Sequence, residues 1–322
     1  MKILKNLFIL VLIVFILTAC DNQEEPIDMS IAKLAEPGDT NAQVLRVGMM
    51  SSSDVIPFVL TNEENIASKY NLKLELQLFT SAKERDLAFR AGEVDGVLTD
   101  YIGVCMYQNE GFDVRITGIT DGDFVLIANE DAGINNINDI GGKSIAISEN
   151  TLIDYTLDHI LLSNNMNSDD IVKESVSRIP DRLELLRSGK IDLGLLPEPF
   201  ATLALEDGGI NLGSANEFGL YPAVSAFSKE VIDEKEDAIR NLYASYNEAV
   251  EYMNNTPIKD YEKTVIKAVG YPEEMIGKVE VKAYRESKLP SVEEVEDAIK
   301  WASDKGLCSD SLTYDQLTYN VY

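Results

Sequence analysis

The chain has 322 residues, about the length of two ordinary domains, and 45% of them are apolar. This composition supplies enough apolar side chains for packed cores and excludes a disordered chain. The formal net charge is −27, from 28 basic and 55 acidic residues. Nucleic acid is therefore a poor partner and none is expected, because phosphate binding needs a basic surface. With one histidine and three cysteines, the sequence predicts no metal centre, and we expect no cofactor.

The first twenty residues are predicted to direct export. Lys2 and Lys5 precede an apolar run from Leu7 to Leu17, which matches the apolar region of a signal peptide and is too short to span a membrane. The run ends in Leu17-Thr18-Ala19-Cys20, which resembles the lipobox of bacterial lipoproteins. The resemblance implies that residues 1–19 are cleaved. It also implies that Cys20 is lipidated and anchors the chain at the extracytoplasmic face of the cell membrane.

Residues 20–43 are predicted to be a flexible tether, since this segment is acidic, contains prolines and has weak periodicity. The folded body is expected to begin near Val44. Two further cysteines, Cys105 and Cys308, lie in apolar or mixed helical segments. A disulfide between them is chemically allowed outside the cytosol, and two unpaired buried thiols fit the sequence equally well.

From Val44 onward, short apolar runs alternate with helical stretches, which is typical of βαβ units and a mainly parallel sheet. The predicted strands are residues 45–50, 72–79, 94–99, 114–119, 124–129, 143–148 and 191–196. The predicted helices are residues 57–70, 81–92, 152–162 and 181–189. Two sets of such units favour an α/β protein with two lobes over one long sheet.

A weak internal repeat supports the two lobes. Residues 84–95 and residues 181–192 align without gaps, and each segment reads as a helix closed by a left-handed glycine and followed by a strand. The shared positions are the pairs Arg85 and Arg182, Arg90 and Arg187, Gly92 and Gly189, and Asp95 and Asp192. A common turn pattern and a true pseudo-symmetry of the lobes both explain this similarity.

The last hundred residues are predicted to be mainly helical. Two apolar stripes at helical spacing carry this prediction, and such stripes pack into a core rather than forming a catalytic face. Their residues are Ile239, Leu242, Tyr243, Tyr246, Ala249, Val250 and Met253, and then Val292, Val295, Ala298, Ile299 and Ala302. We expect this helical block to pack on one of the lobes.

Taken together, residues 45–301 resemble the solute-binding subunits of bacterial ABC importers, in the branch that covers nitrate, sulfonate, taurine and thiamine-precursor binders. Residues 138–147, with the sequence NDIGGKSIAI, are similar to the turn into the second lobe of that family. Residues 189–192 (GKID) followed by 196–201 (LPEPFA), and residues 91–95 (AGEVD), are similar to its paired segments.

The resemblance implies a two-lobed clamp, like a periplasmic binding protein, in which the chain crosses between the lobes twice at a hinge. We place the crossings at residues 121–123 and 219–226. Lobe 1 then comprises residues 44–121 and 225–322, and lobe 2 comprises residues 122–224. The implied function is capture of a small molecule and its delivery to ABC permease subunits, by a monomer whose lobes close around the ligand.

Ligands of open α/β sheets bind beyond the carboxyl ends of the strands, where the polar residues of this sequence are the candidates. In lobe 1 the predicted ligand-binding residues are Ser51, Ser52, Ser53, Asp54, Thr80, Ser81, Thr99, Asp100 and Tyr101. In lobe 2 they are Ser148, Glu149, Asn150, Thr151 and Glu198. Tyr221, beside the second crossing, is predicted to stack on the ligand.

Four of these candidates are acids. Placing several carboxylates around a bound anion raises the free energy of binding unless nearby cations compensate their charge. The only cations close in sequence to these acids are Lys83, Arg85 and Arg182, and each can lie on a solvated helix face instead of compensating an acid. We therefore expect a neutral or partly cationic ring rather than a sulfonate or nitrate.

Two alternatives remain open at this point. One is an enzyme on the same fold, similar to chorismate dehydratase or to the yeast pyrimidine synthase of thiamine biosynthesis. His159 stands alone with no cysteine beside it, however, and the export signal does not fit those cytosolic enzymes. The other alternative is a ligand-sensing lipoprotein that feeds no permease. No catalytic residue is predicted, because the GxxxxGK[ST], HExxH and GxSxG patterns do not occur.

Overall fold

The computed structural model describes residues 42–322, so the predicted signal peptide, Cys20 and almost all of the tether lie outside the described residues. The strands of the described part are β1 (Gln43–Met50), β2 (Leu72–Phe79), β3 (Gly96–Asp100), β4 (Val114–Ile119), β5 (Val125–Ala128), β6 (Ser144–Ile147), β7 (Val172–Ser175), β8 (Leu193–Leu196), β9 (Ile210–Ser214) and β10 (Ala223–Ser228).

Helices cover both faces of these strands. They are α1 (Ile56–Glu63), α2 (Ile66–Lys69), α3 (Ala82–Arg90), α4 (Tyr101–Asn109), α5 (Leu152–Ser163), α6 (Ile179–Arg187), α7 (Phe200–Glu206), α8 (Lys229–Asn255), α9 (Glu262–Val269), α10 (Val292–Asp304) and α11 (Tyr314–Leu317). Among residues 42–322, no helix combines the length and the apolarity needed to cross a membrane.

The strands form two five-stranded sheets, ordered β2-β1-β3-β10-β4 and β7-β6-β8-β5-β9. Each sheet is parallel except for one strand, β10 in the first and β5 in the second, which runs antiparallel to both neighbours. The chain passes to the second sheet between β4 and β5 and returns between β9 and β10. The fold is therefore two α/β lobes connected by two crossing segments.

The two lobes have equivalent strand orders, and each contains an equivalent hydrogen bond from a strand to the aspartate of the repeat. Asp95 accepts a hydrogen bond from the backbone N–H of Arg46, within β1, at 2.8 Å. Asp192 accepts the equivalent bond from the N–H of Ser144 at the start of β6, also at 2.8 Å. Because the aligned residues make equivalent tertiary contacts, pseudo-symmetry explains the internal repeat better than a common turn pattern does.

Some elements differ from the sequence-based expectation. The helix predicted over residues 57–70 is split by Asn65, whose left-handed backbone (φ 55°) separates α1 from α2. The strands β7, β9 and β10 were missing from the predicted set. β7 (VKES) is mostly polar and lies at a sheet edge, so it has no apolar alternation to detect. Residues 223 and 224, which the sequence assigned to lobe 2, belong to β10 of the first sheet.

The C-terminal helices pack on the first lobe. The long helix α8 contacts α1, β1 and β2, and α10 contacts α4. The apolar stripes predicted for this block are buried except at Val292. Cys105 and Cys308 lie in the same apolar cluster, where both are buried and unpaired.

Candidate functional site

A cavity of about 130 Å³ lies between the two lobes, at the carboxyl ends of strands from both sheets. From lobe 1 and the hinge it is lined by Met50, Ser51, Ser52, Asp54, Ala82, Arg85, Leu98, Thr99, Asp100, Gly122 and Ala223. From the other lobe it is lined by Phe124, Ser148, Thr151, Leu152, Ile153, Ser177, Ile179, Arg182 and Pro197. Hydroxyl groups, apolar surface and charged groups therefore meet at one place.

About half of the sequence-predicted site residues line this cavity. They are Ser51, Ser52, Asp54, Thr99 and Asp100 of the first lobe, and Ser148 and Thr151 of the second. Each follows or ends a strand of its sheet, as the argument from strand ends requires. The remaining eight candidates lie elsewhere, for reasons that differ from one to the next.

Several of these eight have local structural roles. Thr80 Oγ1 donates to Glu84 Oε2 at 2.7 Å, and Ser81 caps the start of α3. Glu198 accepts a hydrogen bond from the N–H of Thr202 at 3.1 Å, so it caps α7. The other three non-aromatic candidates, Ser53, Glu149 and Asn150, also do not line the cavity, and the last two are solvent-exposed.

The two aromatic candidates do not line the cavity. Tyr101 is 2% exposed and its ring packs in the apolar cluster around α4. The ring of Tyr221 lies 4.2 Å from the guanidinium of Arg285, which also pairs with Asp121 at 2.6 Å. Arg285 thus contacts both crossing segments, and Tyr221 takes part in this hinge contact.

Two carboxyl groups border the cavity. Asp54 is 6% exposed and accepts hydrogen bonds from Ser52 and, at 2.9 Å, from Thr120 Oγ1. Burial raises the pKa of Asp54 above its usual range, although these hydrogen bonds oppose the shift. Burial also raises the pKa of Asp100, against the attraction of Arg85. Burial therefore disfavours the charged form of both carboxyl groups.

The basic candidates require a correction. Lys83 is exposed, but Arg85 and Arg182 are only 5% and 3% exposed, and both line the cavity. The sequence allowed solvated helix faces for these two arginines, and the structure instead places them under the ends of β3 and β8. Sequence reasoning did not assign them to the site; their alignment in the internal repeat, three residues into their helices, is the signal that could have identified them.

A polar contact joins the lobes beside the cavity, between α5 of the second lobe and α10 of the first; we call it the α5–α10 contact. Asp297 accepts a hydrogen bond from the hydroxyl of Tyr155 at 2.7 Å and pairs with His159 Nε2 at 3.0 Å. These two bonds lower the pKa of Asp297, although burial opposes them. His159 is therefore engaged in a contact between the lobes and does not line the cavity.

The same contact contains a cluster of opposite charges. Lys305 Nζ, at the end of α10, lies 2.9 Å from Asp154 and 3.3 Å from Asp158 of α5. The indole N–H of Trp301 donates to Asp158 at 3.0 Å. Lys173, of the second lobe, pairs with both aspartates at 2.6 Å. Within residues 42–322, no three His, Cys, Asp or Glu side chains are grouped so as to hold a metal ion.

Solved structures share this architecture. The aliphatic sulphonate-binding protein SsuA from Escherichia coli has a TM-score of 0.72 at 17% identity, over 86% of this chain and 92% of that one. A ligand-binding component of an ABC-type import system from Staphylococcus aureus, solved with zinc bound, has a TM-score of 0.70 at 15% identity, over 86% and 97%. The nitrate-binding protein NrtA from Synechocystis has a TM-score of 0.66 at 12% identity, over 85% and 83%.

At these identities the likeness shows the fold, which is the two-lobed fold of periplasmic binding proteins. No curated protein matches the sequence. The model of the NMT1-like family matches residues 38–269, which is more than half of the chain. The chain therefore belongs to the NMT1-like family.

Proposed function

We propose that this protein is an extracytoplasmic solute-binding lipoprotein that captures a small molecule between its lobes and delivers it to an ABC-type importer. The observation that carries this proposal is the cavity, whose lining comes from strand ends of both lobes. A ligand there contacts both halves of a body connected by two hinge segments, so binding favours closure of the clamp.

The relatives support the same reading. The similar structures are named for sulfonate binding, nitrate binding and an ABC-type import system. The hydroxyl groups of Ser51, Ser52, Thr99, Ser148 and Thr151 supply donors and acceptors for a small polar ligand, and we propose that they contact it. We further propose that the protein binds its solute and releases it chemically unchanged, and that it uses no catalytic residue, cofactor or metal.

The proposal is tested by screening the chain without its signal peptide against small solutes, including sulfonates, nitrate, pyrimidines, riboflavin and amino acids. A solute that binds only the folded state raises the melting temperature in proportion to its occupancy. Trp301 is the sole tryptophan of the chain and lies in the α5–α10 contact, so its fluorescence reports movement of the lobes. Turnover of a bound solute, or no response to any solute, contradicts the proposal.

Anchoring makes a separate prediction. Replacing Cys20 by alanine removes the sulfur that the Leu17-Thr18-Ala19-Cys20 box is expected to present for lipidation. We expect the variant to carry no lipid and either to remain as precursor or to be released from the membrane. Metabolic labelling with a fatty-acid probe measures this directly, with Cys105→Ala as the matched control because Cys105 is buried in the folded body. Equal labelling of the wild type and Cys20→Ala contradicts the anchor.

A further inference from the structure

The two arginines of the internal repeat occupy equivalent places on opposite sides of the cavity. Nη1 of Arg85 in α3 donates to the carbonyl oxygen of Leu98 in β3, at 2.9 Å. Nη1 of Arg182 in α6 donates to the carbonyl oxygen of Leu195 in β8, at 3.4 Å. Each arginine therefore crosses beneath a strand that ends at the cavity, and each is almost fully buried.

The arginine of the first lobe is fully compensated within its own lobe. Its Nε donates to Asp86 Oδ1 at 2.9 Å, and its Nη2 pairs with the same oxygen at 2.8 Å and with Thr99 Oγ1 at 3.1 Å. Burial lowers the pKa of Arg85, but the charge of Asp86 and its neighbours outweighs burial and raises it overall. The positive charge of Arg85 is thus already balanced by Asp86.

The arginine of the second lobe lacks this compensation. The position equivalent to Asp86 is Leu183, a buried leucine. No acidic side chain among residues 42–322 pairs with Arg182, and its Nε has no hydrogen-bond partner. Burial alone acts on the group and lowers its pKa to about 10, so the guanidinium stays charged at neutral pH. A buried charge without a counter-charge is costly, and such groups are normally paired.

We propose that Arg182 receives an acidic group of the bound solute, such as a carboxylate, sulfonate or nitrate, and that the equivalent Arg85 has a structural role only. The inference rests on the proposed function, since it assumes that the cavity holds a solute. It follows from an asymmetry within the repeat: the first lobe supplies a carboxylate for its buried arginine, and the second lobe supplies none for Arg182, which lines the cavity. A planar guanidinium suits such groups because it donates two parallel hydrogen bonds.

The acids at the opposite wall do not oppose this assignment. Asp54 is held by Ser52 and Thr120, and Asp100 caps α4 through the N–H of Gly103 at 2.8 Å. Both belong to lobe 1, together with the compensated Arg85. The wall that carries Arg182 is otherwise made of hydroxyl groups and apolar side chains, so an anion bound there meets no carboxylate of its own lobe.

The test compares acids with neutral molecules of the same shape. The probes are propane-1-sulfonate against propane-1-sulfonamide, propionate against propionamide, and nitrate. Binding is measured by calorimetry and by Trp301 fluorescence in the wild type, Arg182→Gln and Arg182→Lys. We expect the wild type to bind at least one acid in preference to its neutral counterpart. Loss of a charged hydrogen bond in Arg182→Gln should weaken that binding about 10- to 150-fold, and Arg182→Lys should retain part of it.

Arg187→Gln is the matched control, because Arg187 lies on the same helix but on its outer face, where it pairs with Glu184 and Asp207. Melting curves of all variants establish that the fold is kept. Equal binding of an acid to the wild type and Arg182→Gln overturns the inference. It is also overturned if the neutral molecules bind as tightly as the acids, or if only solutes without an acidic group bind and change the fluorescence. In either case the proposed function stands. If no solute of any class produces a response, the proposed function fails as well.

Discussion

Replacing Asp95 by asparagine is expected to lower the free energy of unfolding by about 2 to 4 kcal/mol. Asp95 is 3% exposed and accepts three hydrogen bonds from Arg46, through the backbone N–H, Nε and Nη2. Lys235 of α8 pairs with the same carboxylate at 3.0 Å. The aspartate therefore ties β1, β3 and the long C-terminal helix together. Arg46 and Lys235 are about one-third exposed, which keeps the loss below that of a fully buried ion pair.

The loss should depend on pH in a defined direction. Burial opposes ionisation of Asp95, but the hydrogen bonds from Arg46 and Lys235 outweigh it and lower the pKa below the ordinary value of 3.8. A carboxyl whose pKa is lowered by folding stabilises the protein above its ordinary pKa, and this contribution disappears as the pH falls through the folded value. The difference between the wild type and Asp95→Asn should thus be full at neutral pH and should shrink below pH 3.8.

The internal repeat supplies the control. Asp192 accepts hydrogen bonds from the N–H and the hydroxyl of Ser144, and no cation pairs with it within the described residues. Asp192→Asn should therefore cost about 1 kcal/mol, the usual scale of a lost hydrogen bond. Urea unfolding of both variants at neutral and acidic pH measures the difference. Equal losses in the two variants, or a loss for Asp95→Asn that persists in acid, would show that Arg46 and Lys235 do not stabilise this carboxylate.

The sequence predicted the α/β alternation well because local signals determine it. Apolar runs mark the buried strands, and glycines such as Gly92 and Gly189 end the helices with left-handed backbone (φ 70° and 63°). It did not identify β7, which lies at a sheet edge and carries mostly polar residues, because an exposed edge strand needs no apolar pattern. The sequence also misplaced the boundary at the second crossing. β10 is buried throughout, and its place between β3 and β4 depends on pairing with strands that are distant in the sequence.

The candidate site was predicted in part. The last residues of β3 and residues directly after β1 and β6 reach the cavity, because the carboxyl ends of parallel strands meet at one edge. Side chains whose role depends on a partner far along the chain could not be placed in this way. Tyr221 contacts Arg285, and His159 contacts Asp297, both across the fold. The burial of Arg182 is likewise a tertiary property, since the same helical sequence on a protein surface would leave it solvated.

A final prediction concerns the α5–α10 contact, whose polar bonds form only when the two lobes touch. Lys305 belongs to the first lobe, and its ammonium lies between Asp154 and Asp158 of the second and 4.4 Å from the ring centre of Trp301. Burial lowers the pKa of Lys305, but the two aspartates outweigh it and raise the value overall. Lys305→Met keeps the apolar stem and removes the charge. Because Lys173 still pairs with both aspartates, the second lobe keeps its own counter-charge.

Lys305→Met should therefore weaken closure more than it weakens folding. If the contact contributes about 1 to 2 kcal/mol to the closed state, affinity for a solute found in the screen falls roughly 5- to 30-fold, while the urea midpoint changes little. Lys300→Met is the matched control, because Lys300 lies on the same helix, is 74% exposed and pairs with Asp304 of its own helix. Calorimetric titration of both variants, with Trp301 emission followed in parallel, separates the roles. Equal affinity in the two variants would mean that the bond from Lys305 to α5 is not coupled to solute binding, and that closure depends on the hinge and the ligand alone.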